Sequence, residues 1–357
     1  MKKNLMLMIV SAGVACADST WTGTGSDAKW STTANWADAL APSGGILTFP
    51  GTTKLANTND LTDLSLSGMR FPSGSGLFVL NGNPLSISGM IENSGTSSST
   101  VSTPLTLTGN LLLSVPAGGN LYLGNTISGV GDIYRSGATA SGSVGLYGAN
   151  TFTGNIYHSN NVFTVGHSQA LGNPANVFYQ LTKDASRLVL ENNVVVSNKL
   201  VMYGSVNTSA LLSQNAKTNV LAGPLMTTNQ FRIQISGNGV LDIKGGVEAI
   251  GTGTELFVLN PSGGELRFSE KPLLLKNRMF YADNGNVSIA VAGNQWRQML
   301  FSGGTLRLDV PNCLPADKPV MIGIQYSQGG IIDLNGNNQI LGGLYSGNNT
   351  TNAQTRL

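Results

Sequence analysis

Residues 141–157 read SGSVGLYGANTFTGNIY, and residues 170–174 read ALGNP. Glycine or asparagine interrupts the apolar residues every few positions, which predicts very short strands separated by turns. The predicted strands are 146–147, 151–153, 156–157 and 162–165, with a turn at 148–150. No helical period survives in this stretch. Strands this short cannot bury an apolar face alone, so the pattern indicates that they stack on copies of themselves, one turn on the next.

The same stretch resembles the autotransporter-associated β-strand repeat, a unit of bacterial surface and secreted proteins. That repeat is usually written G-x-L-x-L-x-G-x-N-T-Y-x-G-x-T with a downstream A-L-G, and residues 145–154 and 170–172 carry the match. The chain departs from it at Phe152, which replaces tyrosine, and at the turn residues 155–156 and 161–163. The resemblance covers a single repeat unit well and implies a parallel β-helix of the autotransporter passenger type.

The composition fits a chain of strands and turns. Glycine accounts for 46 of 357 residues, and charged residues for 11%, compared with about 25% in an average globular protein. Since 41% of the residues are hydrophobic, this is not a disordered composition. The formal charge of +2 equals the contribution of Lys2 and Lys3, so the chain after residue 17 is neutral. A neutral chain does not favour nucleic acid or an anionic membrane as a partner.

Residues 1–17 have the pattern of a secretory signal peptide. Lys2 and Lys3 form its positive end, residues 5–10 its apolar segment, and Ala15-Cys16-Ala17 its cleavage site. Two alternatives are an ordinary N-terminal strand and a lipobox at residues 13–16, with Cys16 acylated after cleavage. Cleavage at Ala17 leaves Cys313 as the remaining cysteine, which excludes an internal disulfide. No later segment approaches the ~20 apolar residues of a membrane helix, so we expect no transmembrane segment in the mature chain.

Residues 18–50 differ from the rest because they contain Trp21, Trp30 and Trp36, followed by Phe49. The spacing resembles the W-x-G…W…N-W…P…F opening of many proteins that carry the repeat. The first turn of a solenoid exposes apolar side chains and strand edges, which predicts that this segment is an N-terminal cap. The alternative is a carbohydrate-binding platform of exposed aromatic rings.

Residues 51–357 are predicted to form one all-β, right-handed parallel β-helix. Pairs of apolar residues separated by one position recur along this segment, with corresponding pairs in its second half about 20–25 residues apart, the length of one β-helix turn. The pairs are Leu64/Leu66, Leu85/Ile87, Leu105/Leu107, Leu111/Leu113, Leu121/Leu123, Leu188/Leu190, Leu241/Ile243, Leu266/Phe268, Leu273/Leu275, Leu306/Leu308 and Ile332/Leu334. Alternation with period two places each pair inward. The polar runs 96–101 and 215–219 are predicted to be loops.

Two groups of charged residues could in principle serve a glycan-cleaving enzyme, which uses paired carboxylates or Ca²⁺ with a nearby base. The first group is Asp60 with Asp63, and the second is Glu265, Arg267, Glu270 and Lys271. Neither group forms a recognised motif. Charged residues that alternate with apolar ones and can pair with one another are typical of the solvated outer face of a strand. We therefore interpret both groups as surface residues.

The remaining reactive residues do not form a recognisable site either. His158 and His167 have no adjoining acidic or cysteine cluster that would complete a metal site. Ser168 is not part of a G-x-S-x-G elbow. Cys313 is predicted to be a buried apolar residue. The sequence assigns no catalytic, cofactor-binding or metal-ligating residue and predicts no cofactor.

The resemblance implies an exported structural or adhesive protein without catalysis, secreted or held at the bacterial cell surface in association with the outer membrane. Its expected partners are glycans or host or cell-surface proteins. The competing hypothesis is a β-helix polysaccharide lyase or glycoside hydrolase.

The end of the chain carries a separate expectation. Residues 341–345 read as a fresh rung and the residues from Asn348 as a polar turn. We expect either a truncated product or a natural short form whose last rung a partner covers. The alternative is that the polar tail folds back as a small cap.

Overall fold

The chain forms a parallel β-solenoid. In the described part of the chain, the strands pair in parallel within three sheets, and the helical content is one 3₁₀ turn at Thr33–Asn35. This confirms the all-β parallel β-helix predicted from the sequence. Its right-handed sense stays a prediction, based on the preference of crossover connections. A computed structural model describes residues 17–136, 142–182, 186–203, 210–214, 217–228, 230–250, 256–260, 263–283, 285–323 and 329–346.

Each sheet contains strands from successive turns. Sheet 1 consists of β1 (Ser19–Thr20), β2 (Ile46–Thr48), β4 (Ser65–Phe71), β6 (Leu85–Asn93), β8 (Leu105–Ser114), β10 (Ile127–Gly129), β11 (Ile133–Ser136), β13 (Ile156–His158), β15 (Val177–Gln180), β18 (Lys199–Met202), β21 (Leu225–Thr227), β24 (Val247–Ala249) and β27 (Leu273–Leu274). Sheet 2 consists of β3 (Ala56–Asn59), β5 (Val79–Gly82), β7 (Ser99–Val101), β9 (Leu121–Leu123), β12 (Val144–Leu146), β14 (Asn161–Val165), β16 (Ser186–Leu190), β19 (Leu211–Ser213), β22 (Phe231–Ile235), β25 (Leu256–Asn260), β28 (Met279–Asp283), β30 (Gln298–Ser302), β32 (Pro319–Ile322) and β34 (Gly343–Ser346). Sheet 3 consists of β17 (Val195–Val196), β20 (Thr218–Leu221), β23 (Val240–Ile243), β26 (Glu265–Phe268), β29 (Asn286–Ile289), β31 (Thr305–Leu308) and β33 (Ile331–Asp333).

The number of strands per turn increases along the chain. Strand β8 is 10 residues long and pairs with two strands of the following turn, β10 through its first half and β11 through its second half. From β17 onward each turn contributes a separate strand to sheet 3. The C-terminal turns therefore present three outer faces.

Stacked glycines form the corner between the first and second halves of β8. A Cβ atom on Gly131 would lie 2.1 Å from the carbonyl oxygen of Gly109, and one on Gly154 would lie 2.2 Å from that of Gly131. Both distances are far below van der Waals contact, so only glycine allows the turns to approach this closely at the corner.

The predicted leucine pairs from Leu64/Leu66 to Leu306/Leu308 all have both members buried in one continuous core. Ile332 is buried as well, but Leu334 is 41% exposed, so the prediction was wrong for Leu334. Its strand ends at Asp333, whose Oδ1 accepts a hydrogen bond from Asn335 N at 2.9 Å. Asn335 has φ 48°, so the chain has already turned away from the core at Leu334.

The tryptophan-rich segment packs onto the first turns with its rings inside. Trp21, Trp30 and Trp36 are 1%, 0% and 2% exposed. They surround Phe49, whose ring stacks on Phe71 with centroids 5.6 Å apart. The buried rings offer no platform to a carbohydrate and act as a cap. The cap is continuous with the solenoid, because its strands β1 and β2 are the first two of sheet 1.

Several local predictions were wrong. Residues 151–153 form no strand beyond an isolated bridge of Thr153 with Val130, because Thr151 N and Phe152 N both donate to the carbonyl oxygen of Ile127 and interrupt the ladder. Residues 99–101 and 218–219 were predicted to be loops but belong to β7 and β20. Ser99 and Asn219 are both buried and point into the core. The core accepts Ser99 because its side chain is small, and Asn219 because its amide donates a hydrogen bond to Ser213 Oγ.

The last turn and the chain ends were also the subject of predictions. A rung was expected at 341–345, and the structure has β34 there, which begins two residues later, at Gly343, and pairs with β32. The predicted signal peptide, with the possible lipobox at Cys16, lies outside the described residues except for Ala17. The polar tail from Asn348 also lies outside them.

A buried amide joins the two separated parts of the repeat-like stretch. Asn150 is 2% exposed. Its Oδ1 accepts a hydrogen bond from Ile127 N in the preceding turn at 2.8 Å, and its Nδ2 donates to the carbonyl oxygen of Ala170 in the following turn at 2.7 Å. One side chain therefore connects the backbones of three successive turns.

Candidate functional site

The outer face of sheet 2 contains a shallow depression of about 270 Å³ that spans several turns. The strand register beneath it aligns Tyr122 with Gly145, Gly145 with Thr164, and Thr164 with Val189. Tyr122, Thr164 and Val189 line the depression, and Thr164 and Val189 are only 6% and 2% exposed. Because three strand spacings separate Tyr122 from Val189, the depression is about 14 Å long.

Two glycines leave room for one aromatic ring beside the depression. A Cβ atom on Gly145 would lie 2.6 Å from Tyr147 Cε2, and one on Gly166 would lie 2.0 Å from Tyr147 Cδ1. The Tyr147 ring therefore occupies the space that side chains at these two positions would fill.

Tyrosines and charged groups flank this depression. The rings of Tyr122 and Tyr147 are edge to face, with centroids 5.8 Å apart. Tyr147 donates its hydroxyl hydrogen to Glu191 Oε2 at 3.3 Å. Burial of the phenol, together with the nearby negative charge of Glu191, raises the pKa of Tyr147 well above its ordinary value. The phenol therefore stays protonated and acts as a hydrogen-bond donor.

The far end of the depression is polar. Arg187 and Gln214 line this end together with Glu191. Among the lining residues that the structure describes, Arg187 and Glu191 are the charged ones, and their charges are opposite. Asn120, at the opposite end, is already engaged, since its Oδ1 accepts from Ser143 N at 2.9 Å and its Nδ2 donates to Ser98 Oγ at 3.1 Å.

The outer face of sheet 3 holds a second depression, of about 260 Å³, next to the predicted charged group. Glu265 accepts hydrogen bonds from Arg267 Nη2 at 3.1 Å and Ser288 Oγ at 2.8 Å. Arg307 Nε donates to Asp309 Oδ1 at 2.6 Å, and this bond raises the pKa of Arg307. The acids of this face are therefore engaged in hydrogen bonds and ion pairs.

The other members of the charged group are separate from that depression. Glu270 forms an ion pair with Lys244 at 2.9 Å, and the hydrogen bond raises the pKa of Lys244. The Glu270 side chain is 59% exposed, and Lys271 is exposed. These positions agree with the interpretation as a solvated outer face, where such pairs contribute little stability.

Asp60 and Asp63 are not arranged as a catalytic pair. Asp60 accepts hydrogen bonds from Ser31 N at 2.9 Å and Ser31 Oγ at 2.6 Å, which tie the cap to the first turn. Partial burial would raise the pKa of Asp60, but the hydrogen bonds from Ser31 outweigh it and hold this pKa below its ordinary value. Asp63 is exposed in a turn with φ 56°. The role of Asp60 is structural.

The two histidines lie in different environments. His158 is fully buried, packs against Phe163 and Phe178, and lies 3.0 Å from the carbonyl oxygen of Asn161 through Nε2. Burial, with a smaller effect of the Arg135 charge, lowers the pKa of His158 to about 3. The partly exposed His167 accepts a hydrogen bond from Gln169 N at 3.1 Å.

Ser168 and Cys313 are also accounted for by the fold. Ser168 Oγ accepts a hydrogen bond from Val195 N at 2.9 Å. Cys313 is a buried free cysteine, as predicted, and its burial raises the pKa of the thiol to about 11. Such a thiol is poorly nucleophilic at neutral pH. Within the described ranges, no three His, Cys, Asp or Glu side chains are grouped as a metal site would need.

The outer face of sheet 1 has a different character. The rings of Tyr134, Tyr157 and Tyr179 stack with centroids 4.9 and 5.2 Å apart. Both faces of the central ring are therefore covered by its neighbours. Beside them, Asn110 Oδ1 accepts a hydrogen bond from the backbone N–H of Asp132, one turn later, at 3.0 Å. The series continues with Asp132 Oδ1 to Asn155 N at 2.7 Å and Asn155 Oδ1 to Val177 N at 2.9 Å.

Sequence reasoning missed the depression on sheet 2. Its residues are separated by about one turn each, so no local motif joins them. The sequence signal that could have pointed to it is a tyrosine, Tyr147, two positions after Gly145 and therefore on the same outward side of the chain, with another glycine, Gly166, about one turn later.

Among the described residues there is no apolar helix of the length that a membrane crossing requires. No protein-family model, curated protein or solved structure matches this chain.

Proposed function

We propose that this chain is an exported β-solenoid that binds glycans or surface proteins through its outer faces and carries out no catalysis. The observation that supports binding most directly is the depression on sheet 2, an open hollow flanked by Tyr122 and Tyr147 with polar groups at one end. Open hollows with a few convergent polar groups are typical of ligand sites.

The sequence supports export to a bacterial surface. Residues 1–17 have the pattern of a signal peptide, and residues 145–154 with 170–172 resemble the autotransporter-associated repeat. We therefore propose a passenger-like role in the secreted or cell-surface, outer-membrane-associated compartment. The neutral charge after residue 17 does not favour nucleic acid as a partner.

The absence of catalysis is proposed from how the acidic side chains are engaged. Glu265 is bound by Arg267 and Ser288, and Glu270 by Lys244. In the depression on sheet 2, Glu191 is the one acidic residue of the lining that the structure describes. Glycoside hydrolysis usually needs two carboxyl groups across the scissile bond, and this arrangement does not supply them.

The competing function is a β-helix lyase or hydrolase. Glu265 and Arg307 line the depression on sheet 3 together, which brings a carboxylate and a cationic side chain to one hollow. The decisive experiment incubates the purified chain with neutral and acidic polysaccharides and measures both retention and product release. Retention without shortened products is expected. Product release that depends on Glu265, tested with Glu265→Gln, would overturn the non-catalytic proposal.

A further inference from the structure

An uncharged apolar stripe follows the outer face of sheet 1. The strand register places one outward residue of each turn directly beside the next, and each is half-buried or exposed while its neighbours in the strand are buried. The six residues of the stripe, in chain order, are Leu112, Tyr134, Tyr157, Tyr179, Val201 and Met226. Met90 precedes the stripe in register and Glu248 follows it. Five strand spacings separate the ends of the stripe, so it is about 24 Å long.

Two exposed apolar side chains widen the stripe on one side. Leu181 comes two positions after Tyr179, and Tyr203 two positions after Val201. Leu181 is 48% exposed, Tyr203 39%, and Tyr134 within the stripe 37%. Tyrosines and large apolar side chains that are grouped on one surface are typical of a protein interface.

Two charged residues flank the stripe on its other side. Asp132 lies two positions before Tyr134, and Lys199 lies two positions before Val201. The register and the ladder of side-chain bonds place Asp132 and Lys199 in one row, three strand spacings or about 14 Å apart. The Asp132 carboxylate accepts hydrogen bonds from uncharged donors, Asn155 N and the Tyr134 hydroxyl. Within the described part of the chain, Lys199 takes part in no ion pair.

The opposite charges are placed symmetrically about the centre of the stripe. Asp132 and Lys199 are equally far from the midpoint between Tyr157 and Tyr179, which is also the midpoint of the six stripe residues. A two-fold axis that passes across this midpoint, in the plane of the interface, would bring a second copy antiparallel with its charged row on the same side. Asp132 of each copy then lies opposite Lys199 of the other.

The same arrangement matches the apolar residues. Both stripes have one side chain per strand spacing, so their contacts stay in step along the whole length. Tyr157 of one copy meets Tyr179 of the other, and Tyr134 meets Val201. The chain after residue 17 is neutral, so two copies do not repel each other through net charge.

We propose that two copies of this chain form an antiparallel dimer through the outer face of sheet 1, with two Asp132–Lys199 ion pairs at its rim. This pairing goes beyond the proposed ligand binding and does not depend on it. Six strands and three rows of side chains give a contact on the order of 1,200 Å² counted over both copies. That area is at the low end for specific interfaces, so the dimer dissociates on dilution.

Sedimentation velocity over a range of concentrations measures the dissociation constant. We expect Lys199→Glu to weaken the dimer at least about tenfold, because each attractive pair becomes a repulsive one. Adding Asp132→Asn, which keeps the oxygen that accepts from Asn155 N, should recover most of this loss. The control Lys217→Glu makes the same charge change at an exposed residue just before sheet 3 and should have no effect. A chain that is monomeric at about 1 mM, or a dimer that Lys199→Glu leaves unchanged, overturns the proposal.

Crosslinking of the unchanged chain tests the register without any variant. A carbodiimide joins a carboxylate to an amine only when the two groups touch. Asp132 and Lys199 are too far apart within one chain for a direct link, so a link between them identifies the antiparallel dimer. Mixed unlabelled and isotope-labelled chains show whether the link joins two copies. A dimer whose links between copies all lie on other faces refutes the proposal.

Discussion

His158 makes a quantitative prediction possible. In the native chain its pKa is about 3, because the ring is fully buried. In the unfolded chain it returns to about 6.5, so the unfolded state binds a proton as the pH falls from 7 to 5 while the native ring stays neutral. Native-state stability is therefore lost on acidification. Linkage gives a loss of about 2 kcal/mol between pH 7 and pH 5, a figure that holds for any native pKa below about 4.

The variant His158→Gln isolates this contribution. Gln180 takes the register position of His158 one turn later, and its Nε2 donates to the carbonyl oxygens of Thr182 and Ser186. Glutamine at position 158 therefore keeps an amide donor at this corner and removes the titrating group. We expect the variant to lose about 2 kcal/mol less than the unchanged chain between the two pH values.

The assay must resolve local opening, since each turn of a solenoid contacts only its neighbours. Amide hydrogen exchange, read from peptides that cover residues 156–180, gives the opening free energy at pH 7 and pH 5. The control Phe178→Leu removes a packing partner of His158 and should lower stability equally at both pH values. Equal pH dependence in the unchanged chain and in His158→Gln would show that the burial argument is wrong.

Two further predictions concern the stack itself. Leu306→Asp places a carboxylate at a fully buried position between Val287 and Ile332, so we expect loss of exchange protection in residues 285–323 and 329–332 but not in residues 46–136. Ile331→Asp, on the exposed side of the next strand, should be tolerated, and equal effects of the two substitutions would contradict the inward assignment of Leu306. Gly131→Ala forces a methyl group toward the Gly109 carbonyl oxygen and should destabilise by about 1–3 kcal/mol in urea unfolding. At Gly118 an added methyl group meets nothing within 4 Å, so a Gly118→Ala chain as unstable as Gly131→Ala would refute the steric explanation.

The core was predictable from the sequence because burial imposes alternation on every turn. Leu306 and Leu308, for example, are both buried as their spacing indicates. Leu334 has the same spacing and fails, because the backbone turn that begins at Asp333 removes it from the strand. The prediction for Ser99 was wrong in the opposite direction. Its polar neighbours indicated a loop, but Ser99 is a buried, inward-facing residue of β7.

The candidate site was not predictable in the same way. Tyr122, Gly145 and Thr164 become neighbours only through the strand register, which sequence alone does not give between short, Gly-interrupted strands. The pairing of β8 with two separate strands of the next turn could not be predicted from the sequence either. It depends on how closely backbones approach at Gly109 and Gly131, a property of the stacked turns and not of either segment.

The side-chain series at Asn110, Asp132 and Asn155 gives the stack a direction. Each of these oxygens accepts the backbone N–H of the turn that comes next in the chain. A turn that has already packed therefore presents side-chain oxygens that can accept the backbone N–H groups of the next turn. A chain that emerges N-terminus first would add turns to a prepared edge. Growth from the opposite end would meet, at Asp132, Asn155 and Val177, backbone N–H groups whose side-chain acceptors have yet to arrive, so these three bonds favour the addition of turns from the N-terminal end.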